Sequence, residues 1–171
     1  RMCNSAFGHL GASPGDYYPA PLRDEIDALN ARIYDTVNNG VFRCGFATTQ
    51  EAYEEAFDAL FETLDFLEER LSSRRYLLGA VVTEADWRLF TTLMRFDTVY
   101  YGHFKCNLRR IVDYPNLWGY TRELYQWPCV ADTIHMDHIK DHYYRCHTSV
   151  NPTGIVPKGP AIDFNAPHGR G

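Results

Sequence analysis

The stretch RYLLGAVVTEADWRLFTTLMRFD, residues 75–97, predicts a helix that starts at a defined residue and lies inside its domain. Thr83 and Asp86 have the spacing of a capping box, in which each side chain accepts the backbone N–H of the other residue. Apolar side chains then occupy most sides of the helix, which is typical of a buried helix. They are Trp87, Leu89, Phe90, Leu93, Met94 and Phe96, with Arg88 and Arg95 as the polar exceptions.

Two more helices are predicted upstream of this one. Apolar residues recur at steps of three and four over residues 22–37, and Asn-Asn-Gly at 38–40 favours a stop in the left-handed conformation. Residues 41–47, VFRCGFA, are then a short connection. Thr49 is the expected N-cap of a long helix that runs to Leu71 and carries its acidic side chains on a solvated face.

The chain downstream is also helical in pattern, and it contains no convincing strand. Pro115 stands in the first turn of one predicted helix, and residues 135–146 form the last one. We therefore expect an all-α bundle. Residues 151–171 are too rich in Pro and Gly for regular structure, but the apolar Ile162 and Phe164 favour an irregular strap laid over the bundle.

Composition narrows the class of protein. The 171 residues carry a net charge of −5, which argues against nucleic acid or an anionic membrane surface as the main partner. No apolar run approaches the length of a membrane span, and no signal peptide is visible. The five cysteines are widely spaced with no C-x-x-C, so we expect free thiols, a reducing compartment and a cytoplasmic protein.

A resemblance becomes visible once these elements are in order. A long helix, then YLLG, then T-E-A-D opening a buried helix, resembles the C-terminal domain of the glutathione transferases. Three further stretches are similar to the glutathionyl-hydroquinone reductases, the Xi class of that superfamily. They are NARIYDTVNNGVFRCGFATTQEAY (30–53), RFDTVYYGHFKCNLRRIVDYPNLWGY (95–120) and HYYRCHTSVNPTGIVPKGP (142–160), within a resemblance that covers residues 19–170.

The resemblance implies a second, thioredoxin-like domain that binds glutathione and carries a reactive Cys in a Cys-Pro-Trp motif. The 171 residues contain no Cys-Pro-Trp, and Trp127-Pro128-Cys129 has the reverse order. We expect residues 1–18 to be a remnant of that domain with a linker, residues 19–150 to be the helical domain, and residues 151–171 to be the packed tail. On this interpretation the chain alone is inactive and contains no catalytic residue.

The family's reaction, as the resemblance implies, is the glutathione-dependent reduction of glutathionyl-hydroquinones to hydroquinones. The helical domain would supply an aromatic pocket in which two tyrosine hydroxyls reach the substrate. One of these positions corresponds to Tyr143, and the other corresponds to Phe42, which keeps the ring but lacks the hydroxyl. Tyr144 and Tyr34 are candidate replacements for the missing donor, and His142 is a candidate pocket residue beside Tyr143. The family also implies a homodimer.

Two alternatives stay open. The chain could instead be a transferase-like helical module that serves protein association without catalysis. His135, His138 and His142 share one helix face, but they spread over about 10 Å along the axis, which is too far for all three to reach one ion. We expect no native metal, and we interpret these histidines mainly as surface or interhelical hydrogen-bonding groups.

Overall fold

The computed structural model describes residues 1–12 and 15–171, apart from the side chain of Cys3. Ser13 and Pro14, which belong to the predicted linker, lie outside the described residues. Helix is the only regular structure in the described part, apart from a single isolated bridge between Tyr76 and Gly79. None of the helices described is both long enough and apolar enough to cross a bilayer.

Eight α-helices follow one another along residues 1–12 and 15–171. Three of them, α1, α3 and α6, are seven residues or shorter, and α4 is the longest at 23 residues. Their bounds are α1 Met2–Ser5, α2 Arg23–Ile33, α3 Gly40–Phe46, α4 Gln50–Ser72, α5 Glu84–Arg95, α6 Tyr101–His103, α7 Pro115–Tyr125 and α8 Met136–Cys146. A π-helical turn, Tyr34–Asn38, joins α2 towards α3, and a second, Phe96–Tyr100, joins α5 to α6.

The predicted central helix lies at the centre. Helix α5 packs against both α2 and α7, and α4 packs against α3 and α7. The Asp86 carboxylate accepts the Thr83 N–H at 2.7 Å and the Thr83 hydroxyl at 2.9 Å, which ties the start of α5 to its own first turn. The same carboxylate reaches beyond the helix, because it also accepts the Leu77 N–H and the Tyr120 hydroxyl, each at 2.9 Å.

The predicted stop at residues 38–40 is wrong, and so is the predicted connection at 41–47. Asn39 has helical angles, φ −83° and ψ −29°, and Gly40 begins α3. Burial of Val41 and Cys44 in the core gives this segment an apolar face to pack, and α3 lies along α4. Packing therefore overrides the local preference of Asn-Asn-Gly for a left-handed cap.

The C-terminal tail has no regular structure and packs on the bundle as an irregular strap. The Phe164 ring stacks on Tyr125 with centroids 5.1 Å apart, and the Gln126 amide donates to the Phe164 carbonyl at 2.8 Å. Near the end, Arg170 donates to the buried carboxylate of Glu123 at 3.2 Å. These contacts confirm the predicted strap, which covers one side of α7.

Candidate functional site

An open groove of about 860 Å³ runs along one side of α5. One wall is the segment from Tyr34 to Phe42, and the opposite wall is the exposed side of α5. Tyr100 and Tyr143 lie at one end of the groove, and three residues of the N-terminal segment lie at the other. The complete lining is Arg1, Asn4, Tyr17, Tyr34, Asn38, Asn39, Phe42, Glu84, Trp87, Arg88, Thr91, Thr92, Arg95, Tyr100 and Tyr143.

Both π-helical turns deliver side chains to this groove. Tyr34 and Asn38 come from the first turn, and Tyr100 comes from the second. A π turn inserts one extra residue and so rotates the side chains that follow it, and such turns are frequent at functional sites. The Asn38 amide donates to the Thr92 hydroxyl at 2.6 Å and to the Arg88 carbonyl at 3.1 Å, which fixes the first turn against α5.

The end of the groove is formed by two tyrosines whose hydroxyls are hydrogen-bonded to each other. The Tyr100 and Tyr143 oxygens are 2.8 Å apart, and the side chains are 3% and 8% exposed. Burial raises the pKa of Tyr100, and the neighbouring Tyr143 raises it further. The bond between the two hydroxyls uses only one of their two protons, so the pair keeps one further hydrogen-bond donor.

A layer of aromatic rings supports this pair. Phe104 is fully buried and stacks on Tyr100, with ring centroids 5.6 Å apart and an angle of 17° between the planes. Phe42 packs edge-on against Phe104 at 5.3 Å and lies 6.2 Å from Tyr143. A Cβ on Gly45 would overlap the Phe104 ring, so only glycine lets α3 approach it this closely. The two tyrosines are therefore packed against a tight layer of aromatic rings.

The other end of the groove carries two arginines and one carboxylate. Glu84 accepts from the guanidinium of Arg1 at 3.0 Å and from the Asn30 amide at 3.0 Å. Arg88, one turn further along α5, lies 3.8 Å from the same carboxylate. Because the carboxylate partly offsets two arginines, this end favours polar or anionic parts of a ligand, and the tyrosine end favours a ring with hydroxyls.

Residues 50–123 match the family model of the glutathione S-transferase C-terminal domain. The chain is also 65% identical over 161 residues to the glutathionyl-hydroquinone reductase PcpF of Sphingobium chlorophenolicum, over 94% of this chain and 51% of that protein. The chain belongs to the glutathione transferases, as a C-terminal domain of the Xi class.

Solved Xi-class transferases share this fold. The glutathione-bound structure of YqjG from Escherichia coli is 57% identical and superposes with a TM-score of 0.97, over 99% of this chain and 55% of that one. The Xi-class transferase of Natrialba magadii is 47% identical, also with a TM-score of 0.97, over 99% of this chain and 52% of that one. The chain spans about half the length of the curated relatives it matches.

Three of the five residues predicted for the transferase pocket come together in the groove. Tyr143, Phe42 and Tyr34 line it, and the rings of Phe42 and Tyr143 are neighbours. Tyr144 does not line it, because its hydroxyl turns away and donates to the Thr98 carbonyl at 3.3 Å. His142 does not line it either, because its side chain is exposed on α8 in a separate recess with Asp137, His138, Asp141 and Cys146.

Sequence reasoning missed Tyr100 as a groove residue. The reason is that helical periodicity cannot foresee the extra residue of a π turn. It also missed the role of Asn38, which was assigned to a helix stop. A usable signal existed for Asn38, because it stands at the end of the apolar pattern of residues 22–37, and a polar side chain that becomes packed there has to find a hydrogen-bond partner.

The described side chains contain no group of three or more histidines, cysteines and carboxylates able to hold a metal ion. His135, just before α8, lies beside His138 on that helix, with ring centroids 5.3 Å apart. His142 packs instead against His147, at 5.5 Å. Behind the groove, His103 Nε2 lies 3.4 Å from His147 Nδ1, and burial lowers the pKa of His103 to about 4.

Proposed function

We propose that these residues form the ring-binding half of a glutathionyl-hydroquinone reductase. The observation that carries the proposal is the Tyr100–Tyr143 hydroxyl pair, 2.8 Å apart, in the lining of an open groove with aromatic walls. A hydroquinone is a flat ring with hydroxyl groups on its edge, so it needs ring walls and a hydroxyl partner in the same place. The curated names of two relatives, PcpF and YqjG, describe the same activity.

In the proposed reaction the tyrosines stabilise charge on the leaving hydroquinone. A thiolate attacks the sulfur of the conjugate, an S–S bond forms, and the S–C bond breaks with its electron pair passing to the ring. When the conjugate reacts as its keto tautomer, in which the carbon that bears sulfur already carries a proton, this electron pair passes onto a hydroquinone oxygen as an enolate, which then takes a proton. The Tyr143 hydroxyl donates to one such oxygen while its own oxygen accepts from Tyr100, as a preorganised pair.

The sulfur chemistry is assigned to a thioredoxin-like domain rather than to this one. The family's Cys-Pro-Trp does not occur in the 171 residues, and the two exposed cysteines described, Cys129 and Cys146, lie outside the groove. The groove is open beside Arg1, Asn4 and Tyr17, and we place the glutathione-bearing domain along that edge. The proposal includes a cytoplasmic homodimer as the working form of the enzyme.

The open groove favours a pocket over a pure association module. An association surface has its apolar groups spread over a flat face, whereas here the rings converge with a pair of oriented hydroxyls at one end. The fluorescence of Trp87, which lines the groove, offers a direct readout of ligand entry.

The test is a fluorescence titration with a glutathionyl-hydroquinone and, separately, with a free hydroquinone. We expect both to quench tryptophan emission, and we expect Tyr143→Phe to weaken binding about tenfold, the worth of one good hydrogen bond. Tyr125→Phe is the matched control, because Tyr125 packs on Phe164 outside the groove. Equal affinity of Tyr143→Phe and the unmodified protein would remove the proposed role of the hydroxyl.

Turnover gives an independent test of the division of labour. With a glutathionyl-hydroquinone and excess glutathione, the 171 residues alone are expected to release hydroquinone no faster than the uncatalysed reaction. Supplied together with the thioredoxin-like domain of a relative in one chain, they are expected to catalyse it. Turnover by the 171 residues alone would show that the sulfur chemistry does not need a Cys-Pro-Trp motif.

A further inference from the structure

Two buried thiols, far apart in sequence, meet behind the groove. Cys44 lies on α3 and is 3% exposed, and Cys106 lies in the segment after α6 and is fully buried. Cys44 lines one recess together with Lys105 and Asn107, the two neighbours of Cys106, and the Cys106 sulfur lies 4.0 Å from the Val41 carbonyl on α3. The proposed reaction uses neither of them, and neither lines the groove.

The backbone holds this pair in place from both sides. The Cys106 sulfur lies 4.0 Å from the Val41 carbonyl, one turn before Cys44 on α3. Next to the pair, Gly45 and the Phe104 ring are in such close contact that a Cβ would not fit between them. The two chain segments are therefore pressed together at the residues that flank the thiols, as a short covalent link between them requires.

A strained turn fixes the position of Cys106. Lys105 has φ +60°, a left-handed conformation that is uncommon for a residue other than glycine. Its carbonyl accepts the Tyr53 hydroxyl at 2.7 Å and the Asn107 N–H at 2.9 Å, which holds the turn. The Cys106 N–H in turn donates to the Tyr100 carbonyl at 3.1 Å. Strain that surrounding bonds hold in place is typical of functional positions.

A surface recess leads to only one of the two thiols. Its volume is about 400 Å³, and it is lined by Cys44 together with Ala47, Thr48, Thr49, Gln50, Tyr53, Lys105 and Asn107. Cys106 is not part of its lining. A small solute that enters the recess therefore meets Cys44 before Cys106.

The two thiols also differ in acidity. The neighbouring Cys106 thiol, helped by the nearby Arg43, lowers the pKa of Cys44. The neighbouring Cys44 thiol and burial raise the pKa of Cys106. A more acidic thiol at a recess, with a less acidic thiol behind it, is the asymmetry found in reactive dithiols.

We propose that Cys44 and Cys106 form a peroxide-sensitive dithiol, separate from the ring-binding groove. The Cys44 thiolate attacks one oxygen of hydrogen peroxide, the O–O bond breaks, and Cys44 becomes a sulfenic acid as hydroxide leaves. The Cys106 thiol then attacks the Cys44 sulfur, a disulfide forms, and water leaves. In sum, two thiols and one peroxide give one disulfide and two waters.

The disulfide would join α3 to the segment that supports the tyrosine pair. The N–H groups of Phe104 and Cys106 both donate to the Tyr100 carbonyl, at 3.2 and 3.1 Å. A covalent link at Cys106 therefore restrains the base on which Tyr100 stands. This makes the pair a route by which oxidants act on the groove without touching it.

The experiment treats the folded protein with one equivalent of hydrogen peroxide, blocks remaining thiols, and maps peptides by mass spectrometry. The expected product is a peptide pair linked through Cys44 and Cys106, with the protein lighter by about 2 Da for the two hydrogens lost. This pair is expected to exceed any pairing that includes Cys129 or Cys146 by at least about tenfold. Absence of the link while Cys129 and Cys146 are oxidised would overturn the proposal.

Two variants separate the steps. Cys106→Ser is expected to accumulate a sulfenic acid at Cys44 that dimedone traps, and Cys129→Ser, at an exposed position, is expected to form the Cys44–Cys106 link unchanged. No dimedone adduct at Cys44 in folded Cys106→Ser would refute Cys44 as the attacking thiol. Should Cys106→Ser fail to fold, the peptide map of the unmodified protein still decides the proposal.

Discussion

The Asp86 centre and the Tyr100–Tyr143 pair are both buried polar clusters, but they differ in how completely their hydrogen bonds are satisfied. Asp86 is fully buried, and its two oxygens accept four donors, from Leu77, Thr83 and Tyr120. The tyrosine pair uses one hydroxyl proton in the bond between its members and keeps a second one, and both residues line the groove.

The difference separates a structural cluster from a functional one. A carboxylate that already accepts four donors has no capacity for a ligand, and it serves to join α5 to the loop before it and to α7. A hydroxyl pair with an unused proton can bind a guest without breaking a bond. Unused hydrogen-bonding capacity at the edge of a groove, rather than burial or polarity alone, therefore marks the site.

The largest effect is expected for Asp86→Ala. It removes the acceptor of four buried donors, and each donor left unsatisfied costs about 1–3 kcal/mol, partly relieved by water entering the space. We expect a loss of about 3–5 kcal/mol in the free energy of unfolding, measured by urea denaturation. Asp58→Ala on the exposed side of α4 is the control and should stay within about 0.5 kcal/mol. A loss below 1 kcal/mol would contradict the structural role of the centre.

The second effect concerns pH and the imidazole behind the tyrosine pair. Burial keeps His103 neutral in the folded state down to a pKa of about 4, whereas an unfolded chain takes up that proton near pH 6.5. The stability that His103 contributes is therefore full above pH 6.5 and is lost as the pH falls towards 4. His147, whose pKa is also lowered by burial, acts in the same direction.

His103→Phe keeps a ring against Phe104 but removes the titration. Between pH 7 and pH 5 we expect the unmodified protein to lose about 1–2 kcal/mol more unfolding free energy than this variant. His138→Phe is the control, because His138 is exposed on α8, and it should follow the unmodified protein. Parallel pH profiles for His103→Phe and the unmodified protein would mean that His103 is not held neutral by burial.

The fold could be predicted from sequence wherever local signals and packing agree. The capping-box spacing of Thr83 and Asp86, the N-cap Thr49 and the Pro115 start all lie where expected, because side-chain chemistry at a helix start needs no tertiary partner. The prediction for residues 38–47 was wrong because the local preference of Asn-Asn-Gly for a helix stop disagrees with the packing of this segment. Whether residues 1–18 derive from a thioredoxin-like domain stays a prediction.

The site was only partly predictable, for a reason visible in its geometry. Tyr143 lies within α8, which has regular helical geometry, so its position on the buried side of that helix can be predicted from periodicity. Tyr100 is the last residue of a π turn, and the direction of its side chain depends on one inserted residue that leaves no mark in the apolar pattern. Tyr144 was grouped with Tyr143 because they are adjacent in sequence, although neighbouring side chains on a helix point about 100° apart.

The third effect tests the bond within the tyrosine pair. Tyr100→Phe leaves the Tyr143 hydroxyl without its buried partner, and we expect about 1 kcal/mol lower stability and about three- to fivefold weaker binding of a hydroquinone. Tyr101→Phe, the next residue, is the matched control. Tyr100→Phe binding as tightly as the unmodified protein would mean that Tyr143 acts alone and that the pair is a packing feature.

The smallest effect is expected from a substitution that adds a third hydroxyl beside the Tyr100–Tyr143 pair. Phe42 has its ring 5.9 Å from Tyr100 and 6.2 Å from Tyr143, so the hydroxyl added by Phe42→Tyr enters the same end of the groove. The side chain is 36% exposed, and the hydroxyl can therefore stay hydrated at little cost in stability. We expect hydroquinone binding to tighten about two- to fivefold, measured by the same titration. Phe46→Tyr, one turn along α3 and outside the groove, should change nothing, because its ring packs on Phe104 and His147. If both substitutions tighten binding equally, the gain does not depend on where the hydroxyl is placed. The Tyr100–Tyr143 pair would then no longer be distinguished from the Asp86 centre as a ligand site.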